Sequence, residues 1–166
     1  MDRRLFGKPG ALDPEEFREM ADHTTVGHEI VSTVQFPWPR IPETVRWHHE
    51  RADGSGYPDR LMQEEVPLPV RIVGVADSFD AMTSTRPYRA PLSVGSALSD
   101  LVRLAPEKFD PNVVQALLIQ VRRDVVGSSR SPLLDSMTVN IAAADIDHLA
   151  ATLQYKVSRG KAYLTP

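Results

Sequence analysis

The sequence predicts an all-α protein, and three observations carry that prediction. Apolar residues recur at helical spacing in one segment after another, helix-start signals precede these segments, and proline and glycine divide the chain into short elements. Proline occurs 14 times in 166 residues, about 8%, where about 5% is typical. Short helices with short connections favour a helical bundle over a sheet.

The first predicted helix runs from Pro14 to Val34. Asp13 suits the N-cap, Pro14 suits the first helical position, and Glu16 stands three residues after the cap, as in a capping box. Apolar residues then follow at a period close to 3.6. The Phe-Pro-Trp-Pro sequence that begins at Phe36 ends the helix, because proline cannot continue it.

The next four predicted helices also begin at a proline or a capping residue. They run from Pro42 to His49, from Pro67 to Met82, from Ser93 to Leu104 and from Asn112 to Arg122. Between them, the sequences RADGSGYPD (51–59) and TSTRPYRAP (83–91) are rich in turn formers and are predicted loops.

The C-terminal part of the chain has a different pattern. Residues 127–132 resemble a linker, Met137–Ile141 alternate as in a short strand, and Asp145–Arg159 suit a last helix before Gly160. We therefore predict one helical domain over residues 1–126 and an extension over residues 127–166 that contains a strand and a helix.

The composition excludes several classes of protein. There is no cysteine, which excludes a disulfide scaffold, a zinc ribbon and cysteine catalysis, so any metal must be held by His, Asp or Glu. The net charge of −3 provides no general basic field for a nucleic acid polymer. No apolar run approaches the roughly 18 residues of a membrane helix, and no signal peptide is recognisable. These observations predict a cytoplasmic protein without a membrane segment.

Two adjacent histidines, His48 and His49, are the first candidates for chemistry. At the end of a helix their rings should point about 100° apart. That arrangement suits two ligands on neighbouring metals, or one ligand and one substrate contact. The alternative is a pair of polar surface residues.

Asp77 and His23 both fall among apolar residues. Asp77 lies in the run Ile72–Phe79, which we expect to be largely buried, so its carboxylate needs a cation, a hydrogen-bond cage or a metal. His23 falls in the apolar stripe of the first helix, and Gly27 one turn later leaves room beside it. The alternatives are a capped structural aspartate and a satisfied core histidine.

Two loops complete the set of candidate residues. Gly54 and Gly56 allow positive φ and close backbone approach, and Tyr57 between Gly56 and Pro58 offers a ring and a hydroxyl. Arg86 and Arg89 place two guanidinium groups on one loop, which suits a phosphate clamp. A plain turn and a solvated pair of arginines are the alternatives. Together, these residues favour a metal-dependent phosphodiesterase.

The sequences HHERADGSGYP (48–58) and RIVGVADSFDAMTSTRPYR (71–89) resemble the signature of the HD-GYP family, and KPGALDPEEF (8–17) resembles a further segment of it. The similarity covers about residues 5–118. It implies an all-α bundle of the HD type that hydrolyses the bacterial second messenger cyclic di-GMP at a metal centre, with iron or manganese as one or two ions.

The resemblance also implies a role for each matched residue. The implied metal ligands are His23, His48, His49 and Asp77, and the implied substrate contacts are Tyr57, Arg86 and Arg89. The loop that gives the family its name comprises Asp53, Gly54, Gly56, Tyr57 and Pro58. It would also contact partner domains of the diguanylate cyclase type.

One motif of the family is absent from the sequence, because no His-Asp dipeptide occurs in it. We expect this dyad and the first helices to precede Met1, so that the bundle is incomplete at its N-terminus. Three hypotheses follow: a fragment of an active phosphodiesterase, an inactive module that binds nucleotide or protein partners, or a remnant without function. The remnant would expose an apolar groove along Phe17–Val34 and form a homodimer or be poorly soluble.

Overall fold

A computed structural model describes residues 8, 10–86, 90–127, 137 and 139–162. Within these residues the protein forms six helices, and the predicted all-α class is confirmed. They are α1 (Pro14–Ser32), α2 (Ile41–Trp47), α3 (Leu68–Thr83), α4 (Val94–Leu104), α5 (Pro111–Val126) and α6 (Ala143–Ala162).

The predicted boundaries are mostly correct to within a few residues. The start of α1 forms as predicted, since the Asp13 carboxylate accepts from the backbone N–H groups of Glu15 and Glu16, and the Glu16 side chain accepts from the Asp13 N–H. The helix ends at Ser32, two residues early, because the N–H groups of Thr33 and Val34 bond to carbonyls three residues back.

The strand predicted over residues 137–141 is wrong for the described residues of that segment, which have no strand conformation. A strand needs a partner for its backbone groups, and the described part of the chain offers none there. An isolated β-bridge joins Asp53 to Met62, in the loop after α2.

The described residues form two compact units. The first comprises residues up to Asp77 together with those described in Thr85–Ala90. In this unit α1 packs against α2, and Gly27 permits the close approach, because a Cβ there would lie 2.9 Å from Cγ1 of Val45. These two helices carry the three histidines predicted as ligands.

Much of the apolar surface of this unit is exposed. Ile72 and Val73 on α3 are 49% and 39% exposed, so the predicted burial of that run is wrong at these positions, while Val75 is buried. On α1, Phe17 and Ile30 are also exposed.

The second unit comprises Ser78–Ser84 and the described residues from Pro91 onward. In it, α6 packs against both α4 and α5. The buried side chains come from all three helices, and the largest fully buried ones are Leu98, Leu101, Leu118, Ile146 and Leu153. The boundary at residues 126 and 127 stays a prediction.

Polar contacts also hold α6 in the second unit. Arg122 forms a two-point ion pair with Asp147, at 2.6 and 3.1 Å. The Lys156 ammonium donates to the carbonyls of Val102 and Arg103, where α4 ends. A cation at a helix C-terminus is favourable because the last carbonyls carry partial negative charge.

No helix among the described residues combines the length and the apolar character needed to cross a membrane.

Candidate metal centre

Three imidazoles meet in the first unit. His23 lies on α1, and His48 and His49 directly follow α2. One ring nitrogen of each lies within 4.8 Å of those of the other two, close enough to hold a single metal ion. The structure therefore brings together three of the four predicted ligands, from two segments 25 residues apart in the sequence.

Backbone carbonyls fix the tautomers of two of these histidines. Nδ1 of His23 donates to the Met20 carbonyl at 2.6 Å, and Nδ1 of His48 donates to the Val45 carbonyl at 2.8 Å. A carbonyl only accepts, so each Nδ1 carries the proton and each Nε2 carries a lone pair. This second hydrogen bond is the usual support of a metal-binding histidine.

The two Nε2 atoms of His23 and His48 lie 3.4 Å apart. Neither has a proton to donate when both rings are neutral, so the two lone pairs face each other. Two nitrogens bound tetrahedrally to one ion at about 2.05 Å would lie about 3.3 Å apart. The observed spacing therefore fits a shared cation between the two rings.

His49 closes the cluster. Its ring centroid lies 5.1 Å from that of His23 and 4.1 Å from that of His48. Burial, with smaller contributions from His48, His23 and Arg51, lowers the pKa of His49 to about 3. The neutral imidazole is thus the favoured form, and it is the form that binds metals.

The sequence predicts that the rings of His48 and His49 point about 100° apart at the end of a helix. Helix α2 ends at Trp47, and its C-cap His48 keeps helical dihedral angles, with φ −61° and ψ −15°. The chain turns there, and the two rings lie side by side with an interplanar angle of 41°.

Asp77 lies at the edge of this cluster, and the expectation that it is buried is wrong. Its side chain is 40% exposed, and Oδ2 lies 3.7 Å from Nδ1 of His49, which is too far for a hydrogen bond. The carboxylate is therefore partly exposed and close to the imidazoles.

Tyr57 forms one wall of the cluster. Its ring stacks on His49 with centroids 4.7 Å apart, and Phe17 packs edge-on against its other side. The hydroxyl lies 3.7 Å from the sulfur of Met20, and burial raises the pKa of Tyr57 to about 12. Tyr57 thus shields His49 from water.

The loop before Tyr57 is a tight turn, as predicted. The Asp53 carboxylate accepts from the backbone N–H and the hydroxyl of Ser55, and Gly54 has a φ of 71°. Gly56 is buried against the chain after the histidines, since a Cβ there would lie 2.4 Å from the Arg51 nitrogen. Only glycine fits at that contact.

Glu50 is not among the predicted site residues, although it is 6% exposed and its carboxylate accepts three backbone N–H groups. A signal was present, because an acidic residue directly precedes a loop whose backbone donors need acceptors.

The two predicted arginines have different outcomes. Arg86 is exposed, and Arg89 lies outside the described residues. Their roles as phosphate contacts stay predictions.

An all-α unit that brings three histidines together defines a candidate metal-dependent domain. The HD domain family matches residues 4–113, so the chain belongs to that family. Together with its relatives, this match confirms the HD-GYP resemblance.

Several curated relatives are similar to this part of the chain. A cyclic di-GMP phosphodiesterase of Thermotoga maritima is 46% identical over 116 residues, 69% of this chain and 32% of the relative. A cyclic di-GMP phosphodiesterase response regulator of Xanthomonas campestris is 44% identical over 112 residues, 67% and 30% respectively. A 3'3'-cGAMP-specific phosphodiesterase of Vibrio cholerae is 36% identical over 115 residues, 69% and 22%. The aligned segment spans about a third of these relatives or less.

Proposed function

We propose that this chain is the metal-binding part of a phosphodiesterase that hydrolyses a cyclic dinucleotide, with cyclic di-GMP as the main substrate. The observation that carries the proposal is the pair of Nε2 lone pairs of His23 and His48, 3.4 Å apart, each oriented by a carbonyl on Nδ1. The names of the relatives support the substrate class.

The residues of the cluster suit this chemistry. A divalent ion, when bound, supplies Lewis-acid chemistry to a phosphodiester and to water. Three neutral imidazoles hold the ion without cancelling its charge, so the site attracts an anionic group such as a phosphodiester. Tyr57 excludes water from one side of His49, and Arg86 and Arg89 would bind the phosphates through their guanidinium groups.

We expect iron or manganese at this centre. His23, His48 and His49 would hold one ion, and Asp77 would join as a ligand or help to hold a second ion beside His49, from which its carboxylate lies 3.7 Å away. A mixed set of nitrogen and oxygen donors suits these metals.

Calorimetry with Mn²⁺ and anaerobic Fe²⁺ tests the metal site. The wild-type chain should bind at least one ion, and His23→Ala or His48→Ala should abolish that binding. His28→Ala is the matched control, because His28 lies on the same helix but outside the cluster. Equal binding by the wild type and His48→Ala would refute the site.

Chromatographic analysis of cyclic di-GMP after incubation with the metal-loaded chain tests the reaction. Hydrolysis that is lost in His48→Ala supports the proposal, and 3'3'-cGAMP assayed in parallel decides the preferred dinucleotide. A metal-loaded chain that leaves both compounds intact would refute hydrolysis by this chain.

A second candidate is an inactive module that binds the nucleotide without turnover. The observation that favours it is the absence of any His-Asp dipeptide from the 166 residues. Calorimetry with cyclic di-GMP separates the two candidates, since binding without product formation supports the second. Contacts with diguanylate cyclase-type domains, a homodimer and a cytoplasmic location stay predictions.

A further inference from the structure

Glu50 is a buried carboxylate whose oxygens are both occupied by backbone donors. Oε1 accepts from the N–H groups of Asp59 and Arg60 at 2.7 and 3.0 Å, and Oε2 accepts from that of Leu61 at 3.0 Å. A buried carboxylate is costly unless such bonds satisfy it, and bonds to a charged acceptor are about twice as strong as neutral ones. Glu50 therefore holds three consecutive residues of the loop to the end of α2.

The loop segment that Glu50 holds begins two residues after Tyr57. The chain between them is in direct contact with the histidine segment, since Gly56 leaves no room for a Cβ beside Glu50 and Arg51, and the Tyr57 N–H donates to the His49 carbonyl at 3.4 Å. Glu50 thus fixes the chain directly after Tyr57, while the contacts of Gly56 and of the Tyr57 N–H fix it directly before and at that residue.

We propose that Glu50 is a positioning residue that seats Tyr57 on the His49 imidazole and thereby fixes the orientation of that ring. The seating is a property of the metal-free protein. Its consequence for metal affinity rests on the proposed function. Glu50 itself is no ligand in this proposal, because its oxygens point to the loop.

Proton NMR of the metal-free chain tests the seating. The stacked Tyr57 ring shifts the ring protons of His49, and Tyr57→Ala supplies the unstacked reference, while Tyr57→Phe should keep the shift. In Glu50→Ala the His49 signals should move at least half of the way to their positions in Tyr57→Ala. Glu50→Gln keeps Oε1 but opposes the Leu61 N–H with an amide donor, so a smaller displacement is expected.

Glu65→Ala is the matched control, because Glu65 accepts one N–H in the same loop, from Met62 at 2.8 Å, on the exposed side. It should leave the His49 signals in place. Far-UV circular dichroism confirms that each variant is folded, and Glu50→Gln decides the question should Glu50→Ala unfold. If the His49 ring protons of a folded Glu50 variant have the same chemical shifts as in the wild type, the proposal is overturned.

Metal titration then tests the consequence. Loss of a group that orients a ligand typically weakens metal affinity 10- to 100-fold. Glu50→Ala should thus bind Mn²⁺ about 10-fold more weakly than the wild type or Glu65→Ala. If the wild-type chain binds no metal, the proposed function is refuted, and the NMR result alone decides the role of Glu50. If Glu50→Ala and the wild type bind Mn²⁺ with equal affinity, only the effect of Glu50 on metal affinity is refuted.

Discussion

Gly56→Ala should destabilise the first unit severely. The new Cβ would lie 2.4 Å from the Arg51 nitrogen and from the Glu50 Cα, and 2.7 Å from the Glu50 carbonyl carbon. Ordinary van der Waals contacts of a Cβ begin near 3.4 Å, so the segment at Gly56 must move about 1 Å away from the segment at Glu50 and Arg51. Both partners are backbone atoms, so no side-chain rotation can relieve the overlap.

The separation also acts on the bonds to Glu50. Three N–H groups lie 2.7 to 3.0 Å from its carboxylate, and we expect at least one of them to move out of range. A hydrogen bond to a charged group contributes about 1.5–3 kcal/mol, so the loss of one bond, together with about 1–3 kcal/mol of overpacking, predicts a loss of about 3–6 kcal/mol.

Tryptophan fluorescence in a urea titration measures this loss. Both tryptophans of the chain, Trp38 and Trp47, belong to the first unit, so their emission reports that unit. With a slope of about 2 kcal/mol per molar urea, the midpoint should fall by about 1.5–3 M, or the unit should be unfolded without denaturant. Gly27→Ala is the comparison, because its Cβ would meet one side-chain atom of Val45 at 2.9 Å and no backbone atom, so its loss should be smaller than that of Gly56→Ala. A Gly56→Ala midpoint equal to that of the wild type would refute the steric reasoning.

Three further predictions concern single side chains. Leu98→Ala should cost about 2–5 kcal/mol in a urea titration followed by circular dichroism, because Leu98 is fully buried and its removal leaves a cavity. Lys156→Met should cost about 1 kcal/mol in the same assay, since the two carbonyls at the end of α4 lose their cation while the apolar stem is kept; an unchanged midpoint would contradict that reading. The hydrogen bond from Arg46 lowers the pKa of Asp59, so its contribution to stability is present above the ordinary aspartate pKa and is lost as the pH falls through the lowered one. Asp59→Asn should therefore lose less stability than the wild type between pH 5 and pH 3 in the fluorescence assay. Identical pH profiles of the two proteins would refute the contribution of Asp59.

The helices could be predicted because their signals are local. The cap at Asp13, the cap at Ser93 and the apolar periodicity of α4 each need only a few neighbouring residues, and all three are present in the structure. The wrong prediction of a strand over residues 137–141 has a different origin. Alternation over five residues is a weak signal, and pairing with a second strand decides whether a strand forms.

The apolar character of Ile72 and Val73 did not reveal that both side chains are exposed. A helix is buried only where another element covers it, and the sequence pattern does not say which faces of α3 are covered among the described residues. Asp77 was expected to be buried by the same reasoning, and its side chain is instead 40% exposed. An apolar run therefore predicts a helix more safely than it predicts the environment of a polar residue within it.

The histidine cluster shows what a motif adds to local reasoning and what it leaves out. Periodicity places His23 on one face of α1, but nothing local says that this face meets the end of α2. The adjacency of His48 and His49 argues against a shared ion as long as both are taken as helical. In the structure the two rings nevertheless lie beside each other at 4.1 Å, and His48 keeps the dihedral angles of a helical residue, with φ −61° and ψ −15°. The feature that makes the site is the packing of α1 against α2, which brings His23 to the end of α2. That contact joins residues 25 positions apart, so signals that need only a few neighbouring residues cannot report it.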